Sequence, residues 1–373
     1  MSDKKKIVIL GAGKIGVALA SLLHNSGRYH VLVGDFSETA LESIKKRVPV
    51  ETAQVDVTDE PAVAALLAGS DAVVSACAYD LGLGIARASL EAGVSYFDLT
   101  EDVAATLAIR DLAEKAADGQ IFMPQCGLAP GFIGILAHDM CRHFDKLDRV
   151  KMRVGALPLF PNNRFKYNLT WSTEGLINEY CNPCDALADG KKVTVHPLEG
   201  LEQFALDGVT YEAFNTSGGL GTLCDTLEGK AQELDYKSVR YPGHRELMHF
   251  LLHDLKFNQR QKLLKEIMEE SVPSTPQDVV LIFCAVSGWR DGRLEQITNA
   301  RKVYHNEIHG EPASSIQIVT ATSMCAVLDL HFSGKLPASG FVRQEDVVFD
   351  EYMATEFAKP YADAQQVRAP VGG

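Results

Sequence analysis

The stretch "YFDLTED" at residues 96–102 sets three carboxylates, Asp98, Glu101 and Asp102, directly behind an apolar run that reads as a buried strand. Carboxylates are costly where water is excluded unless they are paired or hydrogen-bonded, so acids at such a place need something to face. Thr100 reads as the N-cap of the next helix, which puts Glu101 and Asp102 in a first turn where acids complement the helix dipole. Capping does not require Asp98. It ends the strand, where a carboxylate can act as a base or receive a cation. The following strand ends in "MPQCGLAPGF", in which Pro130 and Gly131 read as a sharp turn into a helix and Cys126 borders the same edge. A cysteine there is either an ordinary buried residue or a reactive thiol. Further on, "SVRYPGH" supplies Arg240, whose guanidinium can grip a carboxylate through two parallel hydrogen bonds, and His244, a titratable group suited to proton transfer.

Two more stretches carry binding chemistry. In "EAFNTSGGLGTLCDTLEG", Thr216, Ser217, Gly218 and Gly219 offer backbone and hydroxyl donors at what reads as a helix start, an arrangement suited to a carboxylate. Around "NLTWSTEGLINEY", Tyr167 and Trp171, with Phe214, can line an aliphatic stem, while Glu174, Glu101 or Asp102 can balance an ammonium.

"ILGAGKIGVALA" places Gly11, Gly13 and Gly16 as G-x-G-x-x-G after a strand and at a helix start, with Lys14 and Ile15 in the turn. Gly11 permits the tight turn, Gly13 lets backbone approach a pyrophosphate, and Gly16 allows helix and sheet to pack closely. Asp35 closes the next strand, "HVLVGD", where a carboxylate holds both ribose hydroxyls of a dinucleotide. It repels a 2′-phosphate, and no arginine follows in "DFSET", so NAD is expected over NADP. Ala76 and Cys77, after the fourth strand, are small enough to wall the same cofactor.

The elements that must position these groups alternate through residue 125. "KIVIL", "HVLVGD", "ETAQVDV", "DAVVSA", "VSYFDL" and "QIFMP" are separated by helical patterns, which predicts α/β architecture with a Rossmann-type doubly wound parallel sheet. From about residue 150 longer runs alternate with period two, and "DVVLIFCAVSGW" meets "RLEQITNARKVY" across "RDG", a hairpin signal. An inserted α+β domain for substrate binding and oligomerisation is therefore expected over 126–312, after a dinucleotide-binding domain over 1–125. Residues 313–373 are expected to return as a buried helix and tail on the first domain. The last stretch, "VRAPVGG", reads as disordered.

A formal net charge of −13 argues against nucleic acid or an anionic membrane as partner and favours a cationic or zwitterionic small molecule. "MSDKKKIVIL" runs straight into the glycine turn and reads as a strand, not a signal peptide; no run reaches spanning length, so a cytoplasmic location is expected. The eight cysteines lack framework spacing, and the lone "CNPC" pair is read as structural, with no metal site.

The fingerprint together with "PQCGLAPGF", "NLTWSTEGLINEY", "EAFNTSGGLGTL" and "YKSVRYPGH" resembles the saccharopine dehydrogenase family over nearly the whole chain, with its bacterial lysine 6-dehydrogenase branch the nearest pattern. The resemblance implies NAD-dependent oxidative deamination of L-lysine at its ε-amine, to 2-aminoadipate 6-semialdehyde that cyclises to a piperideine carboxylate. It also implies a homo-oligomer, and an acid and a cysteine near the nicotinamide, positions that Asp98 and Cys126 match by motif neighbourhood. The alternatives are a saccharopine dehydrogenase acting on the glutamate adduct of the semialdehyde, and a dinucleotide-binding regulator without turnover.

Overall fold

The computed structural model describes residues 4–366, so the carboxyl-terminal "VRAPVGG" lies outside the described residues. The chain forms two compact units. Among the described residues the first comprises 4–132, 307–311 and 317–360, and the second comprises 133–306, 312–316 and 361–366.

In the first unit β1 (Lys5–Leu10), α1 (Lys14–Asn25), β2 (Tyr29–Asp35), α2 (Glu38–Arg47), β3 (Glu51–Gln54), α3 (Glu60–Leu67), β4 (Ala72–Ser75), α4 (Gly82–Ala92), β5 (Ser95–Asp98), α5 (Val103–Ala113) and β6 (Ile121–Met123) follow one another. Strands β1 to β6 pair in the order β3-β2-β1-β4-β5-β6, all parallel. Parallel strands covered on both faces read as unbroken apolar runs, which is why "IVIL" and "AVVS" are strands without alternation. Val8, Leu10, Val73, Ile85, Tyr96 and Phe122 form the core of this unit, each contributing about 2 kcal/mol by burial. Strand order reverses between β1 and β4, the place where ligands of such sheets bind.

Helix α5 begins at Val103, and its N-cap is Asp102, whose carboxylate accepts the Ala105 N–H at 2.7 Å. Thr100 was the expected cap. Instead its hydroxyl accepts the Asp102 N–H at 3.1 Å, shaping the turn before the helix, and the shorter carboxylate bond takes the cap position.

The second unit runs from α6 (Phe132–Cys141) through β7 (Lys146–Pro158), α7 (Thr173–Cys181), β8 (Cys184–Ala188), β9 (Lys191–Val195), β10 (Glu202–Leu206) and β11 (Val209–Asn215). It continues with α8 (Leu223–Leu227), β12 (Glu233–Arg240), α9 (His244–His249), α10 (Gln261–Ser271), β13 (Asp278–Arg290) and β14 (Arg293–Tyr304). A mixed nine-stranded sheet results, in which β12 and β7 are parallel and β7, β13 and β14 antiparallel. The β13–β14 hairpin closes with Arg290 opposite Arg293, so its loop is Asp291-Gly292, both at positive φ (52° and 75°). This is the backbone twist that two-residue hairpin turns need, and Asp-Gly supplies it.

After β15 (Asn306–Ile308) and β16 (Glu311–Ala313) comes α11 (Ser315–Phe332), then β17 (Gly340–Phe341) and β18 (Gln365–Gln366). β17 extends the first sheet beside β6, whereas β18 pairs with β14 of the second. Residues 361–366 therefore belong to the second unit, whereas the whole stretch from 313 onward was expected on the nucleotide domain. α11 also reaches spanning length and apolarity, which no segment was expected to do, but 67% of it is buried inside the protein.

Candidate functional site

The glycine turn of the first unit is built as a phosphate cradle. Gly11 has φ +109°, and a Cβ there would lie 2.8 Å from the Ala76 carbonyl oxygen. A Cβ on Gly16 would overlap the Gly11 carbonyl oxygen, so the first turn of α1 packs this closely on the loop only with glycine there. Gly13 differs: it is exposed, and a Cβ there would meet nothing within 4 Å. It is the N-cap of α1 and supplies no side chain to the first-turn N–H groups, which are left for an anion. Lys14 is exposed and Ile15 half-buried in that turn.

Asp35 ends β2 with its Oδ2 accepting the Ala12 N–H at 2.6 Å and its Oδ1 accepting the Ser37 N–H at 2.8 Å. These bonds tie the acid to the glycine turn and leave lone pairs on both oxygens for ribose hydroxyls. Beyond it Phe36 is 74% exposed, its carbonyl held by the Gln54 side chain at 3.0 Å. Composition gave no reason to single out this open ring face. The Cys77 thiol donates to the Leu10 carbonyl at 3.3 Å, and burial, with Asp35 and Asp80 nearby, pushes its pKa up to about 12. It walls the turn as a neutral group. The residues present therefore fit a dinucleotide.

Asp98 is enclosed, with only 3% of its surface exposed. Its Oδ1 accepts the N–H groups of Thr100 (3.0 Å) and Gln125 (2.9 Å), and its Oδ2 accepts the Tyr96 hydroxyl (2.8 Å). Burial raises its pKa to about 6 against the pull of those three bonds. The carboxyl expected to face a substrate cation instead fastens the turns after β5 and β6, where Gln125 sits at φ 65°. Cys126 is 1% exposed, its thiol donates to the Met123 carbonyl at 3.1 Å, and burial followed by Asp98 raises its pKa well above the ordinary value. A thiol so held favours its neutral form. Glu101, half-buried in the same unit, is already engaged within the protein.

In the second unit Arg240 ends β12, 3% exposed. Its Nε donates to the Tyr180 hydroxyl at 2.8 Å and its Nη1 to the Val239 carbonyl at 2.8 Å. The guanidinium carbon lies 5.3 Å from the Tyr167 ring centre and 5.8 Å from that of Tyr180. Among the described residues no carboxylate forms an ion pair with it. Burial opposes its charge, but Tyr180, Tyr167 and Glu179 favour it and the balance raises its pKa, so it stays a cation. A buried cation with no carboxylate within ion-pair distance is expensive; Glu179 offsets part of that cost from farther away, and an anionic ligand would offset more.

His244 is fully buried, with its ring 4.4 Å from Phe165, 5.2 Å from Tyr167 and 6.0 Å from Tyr180 between centroids. Burial and then Arg240 lower its pKa to about 3, so the proton-transfer role expected of it is replaced by a neutral, structural one. Tyr167 is 1% exposed and its hydroxyl accepts the Trp171 indole N–H at 3.1 Å, which brings both expected lining residues together.

Two other expectations change. Glu174 points outward, with 48% of its side chain exposed, and pairs with Lys265 at 3.1 Å, because it opens α7 on the solvent side. The acid of that helix which is buried is Glu179, 5% exposed and electrostatically coupled to Arg240. The Thr216–Gly219 stretch is not a helix start: α8 begins at Leu223 and has five residues. The Thr216 hydroxyl pairs with that of Ser238 at 2.9 Å and the Ser217 N–H donates to the Glu179 carbonyl at 3.0 Å, so both groups are engaged within the protein. Gly218 takes φ +85°, and Gly219 is needed because a Cβ would lie 2.3 Å from the Tyr236 ring. Sequence reading missed Glu179 and Tyr180. In "LINEYC" they follow Leu176 by three and four positions, the spacing that places them on its buried face.

Residues 7–123 match the family model described as the saccharopine dehydrogenase NADP binding domain, and residues 127–366 the model of the saccharopine dehydrogenase C-terminal domain. The mitochondrial alpha-aminoadipic semialdehyde synthase of Rattus norvegicus is 25% identical over 206 residues, 52% of this chain and 22% of that protein. The NADP(+), L-glutamate-forming saccharopine dehydrogenase of Saccharomyces cerevisiae is 24% identical over 198 residues, 51% of this chain and 44% of that protein. The chain thus spans less than half the length of these relatives. Apo saccharopine dehydrogenase (L-Glu forming) from Saccharomyces cerevisiae shares the fold, with a TM-score of 0.79 at 17% identity over 98% of this chain and 99% of that one. With the two family domains matched in order along one chain, the protein belongs to the saccharopine dehydrogenase family of oxidoreductases, which use a nicotinamide cofactor.

Proposed function

We propose that the protein is an NAD-dependent amino-acid dehydrogenase that oxidises the ε-amine of L-lysine. In the net reaction lysine, NAD⁺ and water give 2-aminoadipate 6-semialdehyde, ammonium, NADH and a proton; the semialdehyde then closes to 1-piperideine-6-carboxylate with loss of water. The observation that carries the amino-acid reading is Arg240, a buried guanidinium with no carboxylate partner among the described residues. It takes the α-carboxylate, Glu179 balances the α-ammonium, and Tyr167 and Trp171 line the aliphatic stem. Bound NAD⁺ supplies the hydride acceptor. Asp35, followed by "FSET" with no arginine, supports NAD, although the matched family domain carries NADP in its description.

The second reading is a saccharopine dehydrogenase, favoured by the activity for which the yeast relative is named. That substrate carries a further dicarboxylic arm and needs more cations. Lys166 donates to the Pro242 carbonyl at 2.8 Å and Arg245 to the Leu198 carbonyl at 2.6 Å, so two of the nearby basic groups already tie loops, and Arg164 is exposed.

A panel of lysine, ornithine, saccharopine and glutamate, each offered with NAD⁺ and with NADP⁺, tests the proposal. NADH and ammonia formed in equal amounts from lysine alone are expected. NADH only from saccharopine, with glutamate released, moves the assignment to the second reading. Faster reduction of NADP⁺ removes the cofactor assignment, and dinucleotide binding without turnover on any member leaves a regulator.

A further inference from the structure

The polar groups around Arg240 form a chain that has only one consistent direction. The Phe165 carbonyl can only accept, so His244 Nδ1, 3.0 Å from it, carries the ring proton. A neutral ring then leaves Nε2 as an acceptor, 3.2 Å from the Tyr180 hydroxyl, and Tyr180 gives it its proton. The Tyr180 oxygen is thereby turned lone pair first towards Arg240 Nε at 2.8 Å. The low pKa of His244, set by burial and Arg240, agrees with a ring that stays neutral. Because Nε and Nη1 are both held, by Tyr180 and the Val239 carbonyl, the Nη2 side is the part of the guanidinium left for a ligand. Apolar side chains at 180 and 244 would fill the same volume among Phe165, Tyr167 and Phe214 without burying three polar atoms, so core packing alone does not ask for this chain.

We propose that Tyr180, oriented by His244, is a positioning residue that aims the free side of Arg240 at the carboxylate of the substrate. The inference rests on the reading of Arg240 as the carboxylate anchor and adds what fixes its aim.

The full chain is titrated with L-lysine and with cadaverine, which is lysine without its carboxylate, and lysine turnover is measured alongside. For Tyr180→Phe the lysine Kd and KM rise about tenfold, the scale of one charge-assisted hydrogen bond, while kcat stays within about twofold and cadaverine and NADH affinities do not move. His244→Gln, which keeps an acceptor for the Tyr180 hydroxyl, binds lysine as the wild type does, and His244→Leu behaves like Tyr180→Phe. Should Tyr180→Phe fail to fold, the Gln and Leu variants at 244 still decide. Equal lysine affinity in His244→Gln and His244→Leu, or a Tyr180→Phe that loses only thermal stability, overturns the inference. Arg240→Lys separates it from the reading beneath: an unchanged lysine Kd there, or no lysine binding by the wild type, removes the anchor itself. A weakened Arg240→Lys beside an unaffected Tyr180→Phe removes the positioning role alone.

Discussion

Three glycines of one turn do three different jobs, and single methyl groups tell them apart. At Gly13 φ is −74° and the space around a Cβ is open, so Gly13→Ala is expected to fold with the wild-type melting temperature. The added methyl would stand where a pyrophosphate must meet the backbone, so NADH affinity should fall by tenfold or more, about 1.4 kcal/mol. Gly16→Ala is the opposite case. Its methyl would overlap the Gly11 carbonyl oxygen, and the helix must shift from the loop at a cost of about 1–3 kcal/mol, visible in thermal unfolding before any ligand is added. Fluorescence titration with NADH on both variants is the check, and undiminished binding by Gly13→Ala would remove the turn from the cofactor site. Asp98 teaches the converse lesson about single residues. Its type and place in "YFDLT" marked a reactive acid, but three donors within 3.0 Å use it as a fastener. Sequence reveals that a carboxylate ends a strand; it does not reveal how many N–H groups the neighbouring turns aim at it.

At the scale of elements, local patterns were readable and distant partners were not. Apart from β3, whose "ETAQ" is largely polar and at most half-buried, the parallel strands declared themselves as apolar runs broken by glycine and aspartate, and Asp291-Gly292 announced the hairpin, because each signal lies within a few residues. Strands β8 to β10 gave no such signal. "KKVTV" and "EQFAL" carry charged residues, and β9 has a partner only in β8, so their burial alternates mostly between half-buried and exposed positions and leaves a weak apolar contrast in the sequence. The start of α11 shows the same limit. Its first N–H groups are accepted by Asp278, at 2.5 Å from Ser315 and 3.2 Å from Ile316, a cap supplied from 37 residues upstream. Asp278 is fully buried, so Asp278→Ala would strand two donors away from water, at a cost of about 2–4 kcal/mol. Asp278→Asn keeps one acceptor and should cost less. Urea midpoints of the two variants, compared with wild type, check the ranking, and equal midpoints would show that water satisfies the helix start.

For the whole molecule the buried ionisable groups fix how stability follows pH, and they do not all act in one direction. His244 in the second unit, with a pKa near 3, and His331 in the first, near 4, are held neutral by burial, helped by Arg240 and by Lys5 respectively, with Asp71 opposing at His331. The unfolded chain binds these protons more readily, so stability from the two histidines is complete above pH of about 6.5 and is lost as pH falls towards 3 or 4. For His244 the full shift corresponds to at most about 5 kcal/mol. Asp98 has the opposite sign. Its pKa near 6 lies above the ordinary carboxylate value, so the folded state takes up the proton first, and acidification from pH 6 towards 4 favours folding by up to about 3 kcal/mol. Glu202, drawn down to about 2 by Arg153 and Lys237 against the opposing effect of its burial, adds stability that is lost only below its ordinary pKa. Asp278, whose carboxyl is also raised by burial, acts with Asp98, but the two histidines begin to titrate first as pH falls from 6.5, so the melting temperature should hold level above neutrality and decline through that window. His331→Gln, which cannot take a proton, should flatten the decline without altering the alkaline plateau, and Asp98→Asn, which removes one of the two opposing carboxyls, should steepen it. Melting curves every half unit of pH on the three proteins are the measurement, and an Asp98→Asn profile shallower than wild type would show that the carboxyl is ionised in the folded protein throughout.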